Sequence, residues 1–205
     1  MRKQFFSRLN TSLDFLKLNF KNIIILTPLY YLATTKMKAS IISKCDKVLK
    51  ELYKFSDSII TLGNPIFDNR LEEFEKQIGL TLPFDFNYIL TKHNCISLDG
   101  NEIFGIGKEY GNMSIENVYI FEHEEVSNPM FKELVPFSPD GYGNHYCLDL
   151  SELKNKECPV VFWEHDCSYS ARKDIEICNK NFVEWIKKVM IEWTLEDTNY
   201  DGSEK

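Results

Sequence analysis

Residues 134–150 read Leu-Val-Pro-Phe-Ser-Pro-Asp-Gly-Tyr-Gly-Asn-His-Tyr-Cys-Leu-Asp-Leu. The apolar residues 134–137 predict a strand. Residues 140–144 predict a tight turn, because two glycines permit positive φ and Asp and Asn side chains hydrogen-bond turn backbone. Apolar and other residues then alternate from Tyr146 to Leu150, which predicts a returning strand. Asp149, between two leucines, either lies on the open face of this sheet or holds a neighbouring loop.

The chain before this hairpin has the periodicity of helices. Apolar residues three and four apart predict three amphipathic helices, carried by Ile41, Cys45, Val48, Leu49 and Leu52, then by Leu71, Phe74 and Ile78, then by Phe86, Ile89 and Leu90. Asn69 with Glu72 predicts a capping box on the second helix, and Gly79 ends it. Pro83 suits the first turn of the third helix.

Short β-rich runs and one long helical pattern complete the chain. The runs predict strands around Ile103–Ile106, Ile115–Phe121, Pro159–Trp163 and Ile175–Ile177. After a capping box of Asn181 and Glu184, a helix is predicted by the spacing of Phe182, Trp185, Ile186, Val189, Met190 and Trp193. This order predicts an α+β fold, with one mainly antiparallel multistranded sheet, helices packed on one side, N-terminal helices and a C-terminal amphipathic helix.

The formal net charge of -7 is unevenly distributed over the 205 residues. Residues 1–36 hold six basic residues and one acid, which gives +5, so residues 37–205 hold 18 basic and 30 acidic residues, which gives -12. An acidic body disfavours binding to nucleic acid, whose affinity depends on Lys and Arg contacts to phosphate. It favours a basic protein as the partner.

Residues 1–36 differ in composition from the rest of the chain. Their apolar run from Ile23 to Ala33 is too short to span a bilayer, so no stable membrane insertion is expected. The segment is either a leader or the product of a wrongly assigned translation start, with synthesis beginning at Met37. We therefore divide the chain into an extension at 1–36, a domain at 37–195 and a polar, frayed tail at 196–205.

Six cysteines are spread through the chain without a Cys-x-x-Cys pair, at positions 45, 95, 147, 158, 167 and 178. A chain of this length with many core residues needs no disulfide framework. Free, mostly buried thiols in a reducing compartment are expected, which favours a cytoplasmic location.

The sequence lacks several motifs that are typical of common enzyme classes. No GxSxG, HExxH or GxxxxGK[ST] segment is present, and we expect neither an enzyme nor a cofactor. Two His-x-Cys pairs, His145 with Cys147 and His165 with Cys167, leave a metal-dependent enzyme as a rival hypothesis, but the spacing typical of zinc ligands is absent. No metal is predicted. The carboxylates Glu122, Glu124 and Glu125 form either a solvated face or an acidic patch that docks a basic protein.

The order of these segments resembles the SUKH superfamily in its SMI/KNR branch. The resemblance covers about residues 65–193 and comprises the Leu-Pro connection at 82–83, the Pro-Phe strand at 136–137, the Asp-Gly-x-Gly-Asn turn at 140–144, Leu148-Asp149-Leu150, the Pro-Val strand with its Trp and His at 159–165, and the aromatic C-terminal helix. A Gly-Gly pair common after the second helix is replaced by residues 94–97, Asn-Cys-Ile-Ser.

The resemblance implies a binding protein, since bacterial members resemble immunity proteins that neutralise toxins and fungal members resemble cell-wall regulatory scaffolds. The expected partner is a cognate, basic toxin protein, and the alternative is a scaffold without a toxin. The motif residues, structural or groove-lining, are Asp140, Gly141, Gly143, Asn144, Asp149, Trp163 and His165. The expected partner-binding residues are Tyr110, Tyr119, Tyr142 and Tyr169 with the acidic Glu122, Glu124 and Glu125.

Overall fold

The computed structural model describes Leu32 and residues 34–205. The chain divides into two units, residues 1–40 and 41–205. In the smaller unit the described residues, Leu32 and 34–40, are helical. The proposed leader or wrongly assigned start at 1–36 therefore lies almost wholly outside the described residues. In the part of the chain that is described, no helix combines the length and apolar character needed to cross a membrane.

Three helices in the larger unit follow the predicted apolar stripes. Helix α1 covers residues 41–52, α2 covers Arg70–Ile78 and α3 covers Phe84–Lys92. Every stripe residue predicted for them is buried. The predicted capping box on α2 is wrong, because Asn69 makes no side-chain cap bond and Asp68 instead accepts the Arg70 N–H at 3.2 Å.

Residues 115–121 form a helix, and the prediction of a strand there is wrong. Helix α4 covers Ile115–Ile120 and continues as π-helical turns over Phe121–Glu125. Ser114 starts it by accepting the Asn117 N–H on its side chain at 3.3 Å. The buried residues Ile115, Val118 and Tyr119 recur at helical spacing, and this period prevails over the β propensity of the individual side chains.

Within the described residues, seven strands form two antiparallel sheets, which confirms the α+β class and corrects the prediction of a single sheet. The first sheet has the order β1-β2-β3 and the second the order β4-β5-β6-β7. The strands are Ile60–Leu62, Ile96–Leu98, Asn101–Ile103, Leu134–Pro139, His145–Asp149, Val160–Trp163 and Glu176–Asn179. Phe104, just after β3, donates its N–H to the Phe137 carbonyl on β4 at 2.8 Å and so links the two sheets.

Aromatic side chains pack the helices against one face of the second sheet. The C-terminal helix consists of α5 (Phe182–Trp185), π-helical turns (Ile186–Glu192) and α6 (Trp193–Asp197). Phe137 of β4 contacts the rings of Phe86, Phe182 and Trp185 at centroid distances of 6.1, 5.1 and 4.8 Å. Trp193 was predicted to be buried but is 50% exposed, because a π turn carries an additional residue and rotates the stripe.

The opposite face of the second sheet is covered by loop residues. The hydrophobic core cluster on this face comprises Met130, Leu134, Cys147, Val161, Trp163 and Ile175, with Phe131 and Tyr169 packed against the cluster. All six cysteines of the chain are free thiols; three are buried and three are partly exposed, so the prediction that most of them are buried is wrong.

The C-terminal tail is held against the domain, and the prediction of a frayed tail is wrong. The Tyr200 carbonyl accepts the Ser56 N–H at 2.7 Å, and its ring packs on Phe55 at 4.7 Å. The Thr198 hydroxyl donates to Asp99 at 3.1 Å. The composition of this ten-residue segment, which is mostly polar, does not reveal these apolar and polar partners.

Candidate functional site

The turn between β4 and β5 is organised by one carboxylate. Asp140 Oδ1 accepts the N–H groups of Tyr142 and Asn144 at 2.7 and 3.0 Å, and Oδ2 accepts the Asn144 side-chain amide at 2.7 Å. Burial alone would raise the pKa of Asp140, but these hydrogen bonds hold it below its usual value. Gly141 and Gly143 have φ of 82° and 94°, which an L side chain rarely adopts.

Asn144 connects this turn to the segment after β6. Its Oδ1 accepts the His165 N–H at 3.1 Å and lies 2.9 Å from His165 Nδ1. Since Oδ1 is an acceptor, Nδ1 is the protonated nitrogen in this contact. Asn128 fixes the same segment from the other side by donating to the His165 and Cys167 carbonyls at 3.1 and 2.9 Å. The turn and His165 thus form one rigid, exposed corner.

Gly143 lies directly against this histidine. A Cβ at Gly143 would lie 3.2 Å from His165 Nδ1, whereas one at Gly141 would meet nothing within 4 Å. We expect Gly143→Ala and Gly141→Ala each to lower the free energy of unfolding by about 1–3 kcal/mol, because both strain the backbone. Only Gly143→Ala should shift the NMR signals of the His165 ring. Equal shifts from both variants would contradict the contact.

Asp149 and Trp163 of the motif are buried supports of the site. Asp149 is fully buried at the end of β5, forms an ion pair with Arg172 and accepts the Ser151 N–H and hydroxyl at 3.2 and 2.8 Å. It therefore holds neighbouring loops, the second of the two roles considered from sequence. Trp163 is 1% exposed in the loop-covered core cluster and pairs with His145 across the sheet. Neither side chain is accessible to a partner.

A groove of about 650 Å³ opens between α4 and the strand ends that carry this corner. Its walls combine apolar side chains with a few polar ones, the usual composition of binding pockets. The lining residues are Phe104, Asn112, Met113, Asn117, Val118, Ile120, Phe121, Glu122, Glu125, Pro139 and His145. Pro139 and His145 flank the turn, so the exposed corner and the groove are adjacent.

Two ionisable side chains meet inside the groove. Glu122 is 6% exposed and His145 is 8% exposed, and Glu122 Oε1 lies 3.9 Å from His145 Nδ1. Burial lowers the pKa of His145 to about 4, with Asp140 opposing and His165 reinforcing that change. Burial raises the pKa of Glu122, partly offset by His165. His145 is therefore neutral near pH 7 and provides no positive charge to Glu122.

The expected partner-binding residues have very different exposures. Tyr142 is 84% exposed at the tip of the turn, and Tyr110 and Tyr169 are half-buried. The expectation for Tyr119 is wrong, because it is 8% exposed, donates its hydroxyl to the Lys132 carbonyl at 2.9 Å and stacks on His123.

The acidic run also differs from the prediction. Glu124 and Glu125 are exposed as expected, but Glu122 is buried and does not belong to a solvated face. Two groove residues that were not predicted from the sequence are Met113 and Phe121, which are 47% and 49% exposed. The helical period of Ile115, Val118 and Tyr119 was the available signal, because its continuation beyond α4 distinguishes the buried Glu122 from its exposed neighbour Phe121.

The two His-x-Cys pairs do not form a metal centre in the described structure. Cys147 is fully buried, with Sγ 3.9 Å from Met130 Sδ, and burial raises its pKa well above the usual value. Cys167 Sγ lies 3.6 Å from Glu164 on the exposed corner. Across residues 34–205, no three His, Cys, Asp or Glu side chains are grouped as metal ligands.

Comparison with known families places this geometry in context. The family model SUKH_6, described as SMI1-KNR4 cell-wall, matches residues 68–186. The chain belongs to the SUKH family. The match begins just before α2, ends in the C-terminal helix and includes the whole turn and groove. The SUKH family is known for toxin immunity proteins, which are generally not enzymes. A search of curated proteins found no match to the chain.

Proposed function

We propose that this SUKH protein is a non-enzymatic immunity protein that binds a cognate polymorphic toxin and blocks its active site. The observation that carries the proposal is the exposed apolar rim of the groove. Met113 and Phe121 line the groove and are 47% and 49% exposed, and Tyr142, on the turn next to it, is 84% exposed. Large exposed apolar side chains beside a concavity are typical of protein-binding sites, where aromatic residues contribute much of the affinity.

The charge of the groove wall supports a basic partner. Residues 102–125 contain six acids and one lysine, a net charge of -5 within 24 residues. Glu125 is exposed at the groove, and Glu124 beside it is also exposed. Such a surface accelerates association with a basic surface and disfavours acidic competitors. Toxins that act on nucleic acids have basic substrate channels, because phosphate contacts require Lys and Arg. A nuclease-type toxin therefore fits this surface best.

Co-expression with the toxin encoded by a neighbouring gene tests the proposal. The wild-type chain should restore growth and co-purify with the toxin. Tyr142→Ala should weaken the complex by about 30-fold or more, which is the scale of an interface hot spot, without loss of folding, since Tyr142 is 84% exposed. Phe67→Ala is the matched control, because Phe67 is 92% exposed outside the groove, and it should bind within threefold of wild type. Failure of the wild-type chain to bind or protect would refute the proposal.

A regulatory scaffold without a toxin partner is the second candidate function. The observation that favours it is the description of the matching family model, which refers to the cell wall. A scaffold would use the same exposed rim for a cellular partner. Growth protection separates the two functions, because a scaffold would leave the toxin active.

A further inference from the structure

The interior of the groove contains one polar atom whose hydrogen bonding is incomplete. His145 Nδ1 is buried and has no hydrogen-bond partner among the described residues. The nearest carboxylate atom, Glu122 Oε1, lies 3.9 Å away, beyond hydrogen-bond range. Leaving a buried polar group unpaired is unfavourable, so a ligand that supplies the missing hydrogen bond gains affinity here.

The two atoms define the chemistry of that ligand. A carboxylate accepts hydrogen bonds, and a neutral imidazole with its proton on Nε2 presents an acceptor at Nδ1. The complementary group is a cation with several N–H donors. A guanidinium has five donors in a planar fork, whereas an ammonium is a compact point charge that is strongly hydrated.

The walls of the groove suit the rest of such a side chain. Phe104 and Val118 are 4% and 7% exposed, and Ile120 lies beside them. The aliphatic stem of an arginine can cover these surfaces, and its planar head can stack on an aromatic ring such as Phe121. The exposed Glu125 at the groove provides a second negative charge for attraction.

We propose that the groove binds an arginine side chain presented by the partner protein, with the guanidinium donating to Glu122 and His145. The source of the arginine rests on the proposed function, since a toxin with a basic channel exposes such residues. The specificity of the groove for a guanidinium is a property of this chain alone. It can be measured without the toxin.

The test uses the full chain and N-acetyl-arginine amide as the probe, followed by NMR of the His145 ring. We expect a saturable shift with the arginine probe. N-acetyl-citrulline amide has the same shape without the charge and should bind at least tenfold more weakly. N-acetyl-lysine amide should also bind more weakly than the arginine probe. This comparison requires no variant, so it does not depend on the folding of a mutant.

Two matched variants then identify the carboxylate. Glu122→Gln should weaken arginine binding at least tenfold, whereas Glu124→Gln, at an exposed position that does not line the groove, should bind within twofold of wild type. Equal binding of arginine and citrulline, equal loss in both variants, or no shift at His145 would overturn the inference. Each of these results leaves growth protection by the wild-type chain intact, so failure here is distinguishable from failure of the proposed function.

Discussion

Arg172→Met is expected to lower the free energy of unfolding by about 3–5 kcal/mol, because it leaves a buried carboxylate without its cation. Asp149 is fully buried and forms its ion pair with Arg172, whose side chain is 24% exposed. The methionine keeps much of the length of the arginine but provides no charge. Asp149 retains only its hydrogen bonds from Ser151, which do not replace the cation. Urea unfolding followed by tryptophan fluorescence measures the change.

Lys154→Met is the matched control for this substitution. Lys154 pairs with Glu152, and their side chains are 75% and 40% exposed, so the loss should be at most about 1 kcal/mol. The double variant Asp149→Asn with Arg172→Met should recover part of the stability lost in the single variant, because the uncompensated charge is gone. Equal losses from Arg172→Met and Lys154→Met would show that Asp149 does not depend on its ion pair.

Asp85 should make the protein less stable as the pH rises from about 4 to about 7. Asp85 is fully buried at the start of α3. Burial raises its pKa from 3.8 to about 7, and the charge of Glu157 adds to this effect. The folded state therefore holds a proton that the unfolded state has lost. The stabilisation is complete below about pH 4 and is lost as the pH approaches 7. A rise of this size corresponds to on the order of 4 kcal/mol.

Asp85→Asn isolates this contribution. The amide remains neutral at every pH and keeps an oxygen to accept the Phe86 N–H that Asp85 Oδ1 now accepts at 3.0 Å. Its unfolding free energy should change much less across the same pH range and should exceed that of wild type at about pH 8. Asp57→Asn, at an exposed position, should keep the wild-type pH dependence. If the unfolding free energy of Asp85→Asn fell with pH as steeply as that of wild type, a group other than Asp85 would be responsible for the pH dependence.

The elements predicted from sequence with success are those whose signal is local. The apolar stripes of α1, α2 and α3 repeat every three or four residues. Side chains at this spacing lie on one face, and are buried together, only if the segment is helical. The turn at 140–144 likewise depends on its own glycines and on the Asp140 side chain. Asn181 caps the C-terminal helix by accepting the Glu184 N–H at 2.9 Å. The Glu184 carboxylate, however, accepts from Lys180 rather than completing the predicted box on Asn181.

The failures concern features set by distant residues. The division into two sheets depends on which strand lies beside β4. The Phe104–Phe137 hydrogen bond that links the sheets joins residues 33 positions apart, so a local pattern does not reveal it. The tail at 196–205 looked free because its partners Ser56 and Asp99 are about 100 or more residues away. The π turns at Ile186–Glu192 shift the apolar repeat of the C-terminal helix, so Trp193 is exposed although the repeat predicted it to be buried.

The candidate site illustrates the same division. The motif around Asp140 could be located from sequence, but the groove could not, because α4 was taken for a strand. Once residues 115–120 are helical, Glu122 turns inward and Phe121 turns outward. The buried pair of Glu122 and His145 joins residues 23 positions apart, which only the fold brings within 3.9 Å.

The most direct test of the central claim, that this groove and its rim bind the toxin, is hydrogen–deuterium exchange of the full chain with and without its toxin. We predict slower exchange on complex formation in residues 108–125 and 139–145, with little change in α1 and β7. Slower exchange confined to α1 or β7, with the groove unaffected, would contradict the account.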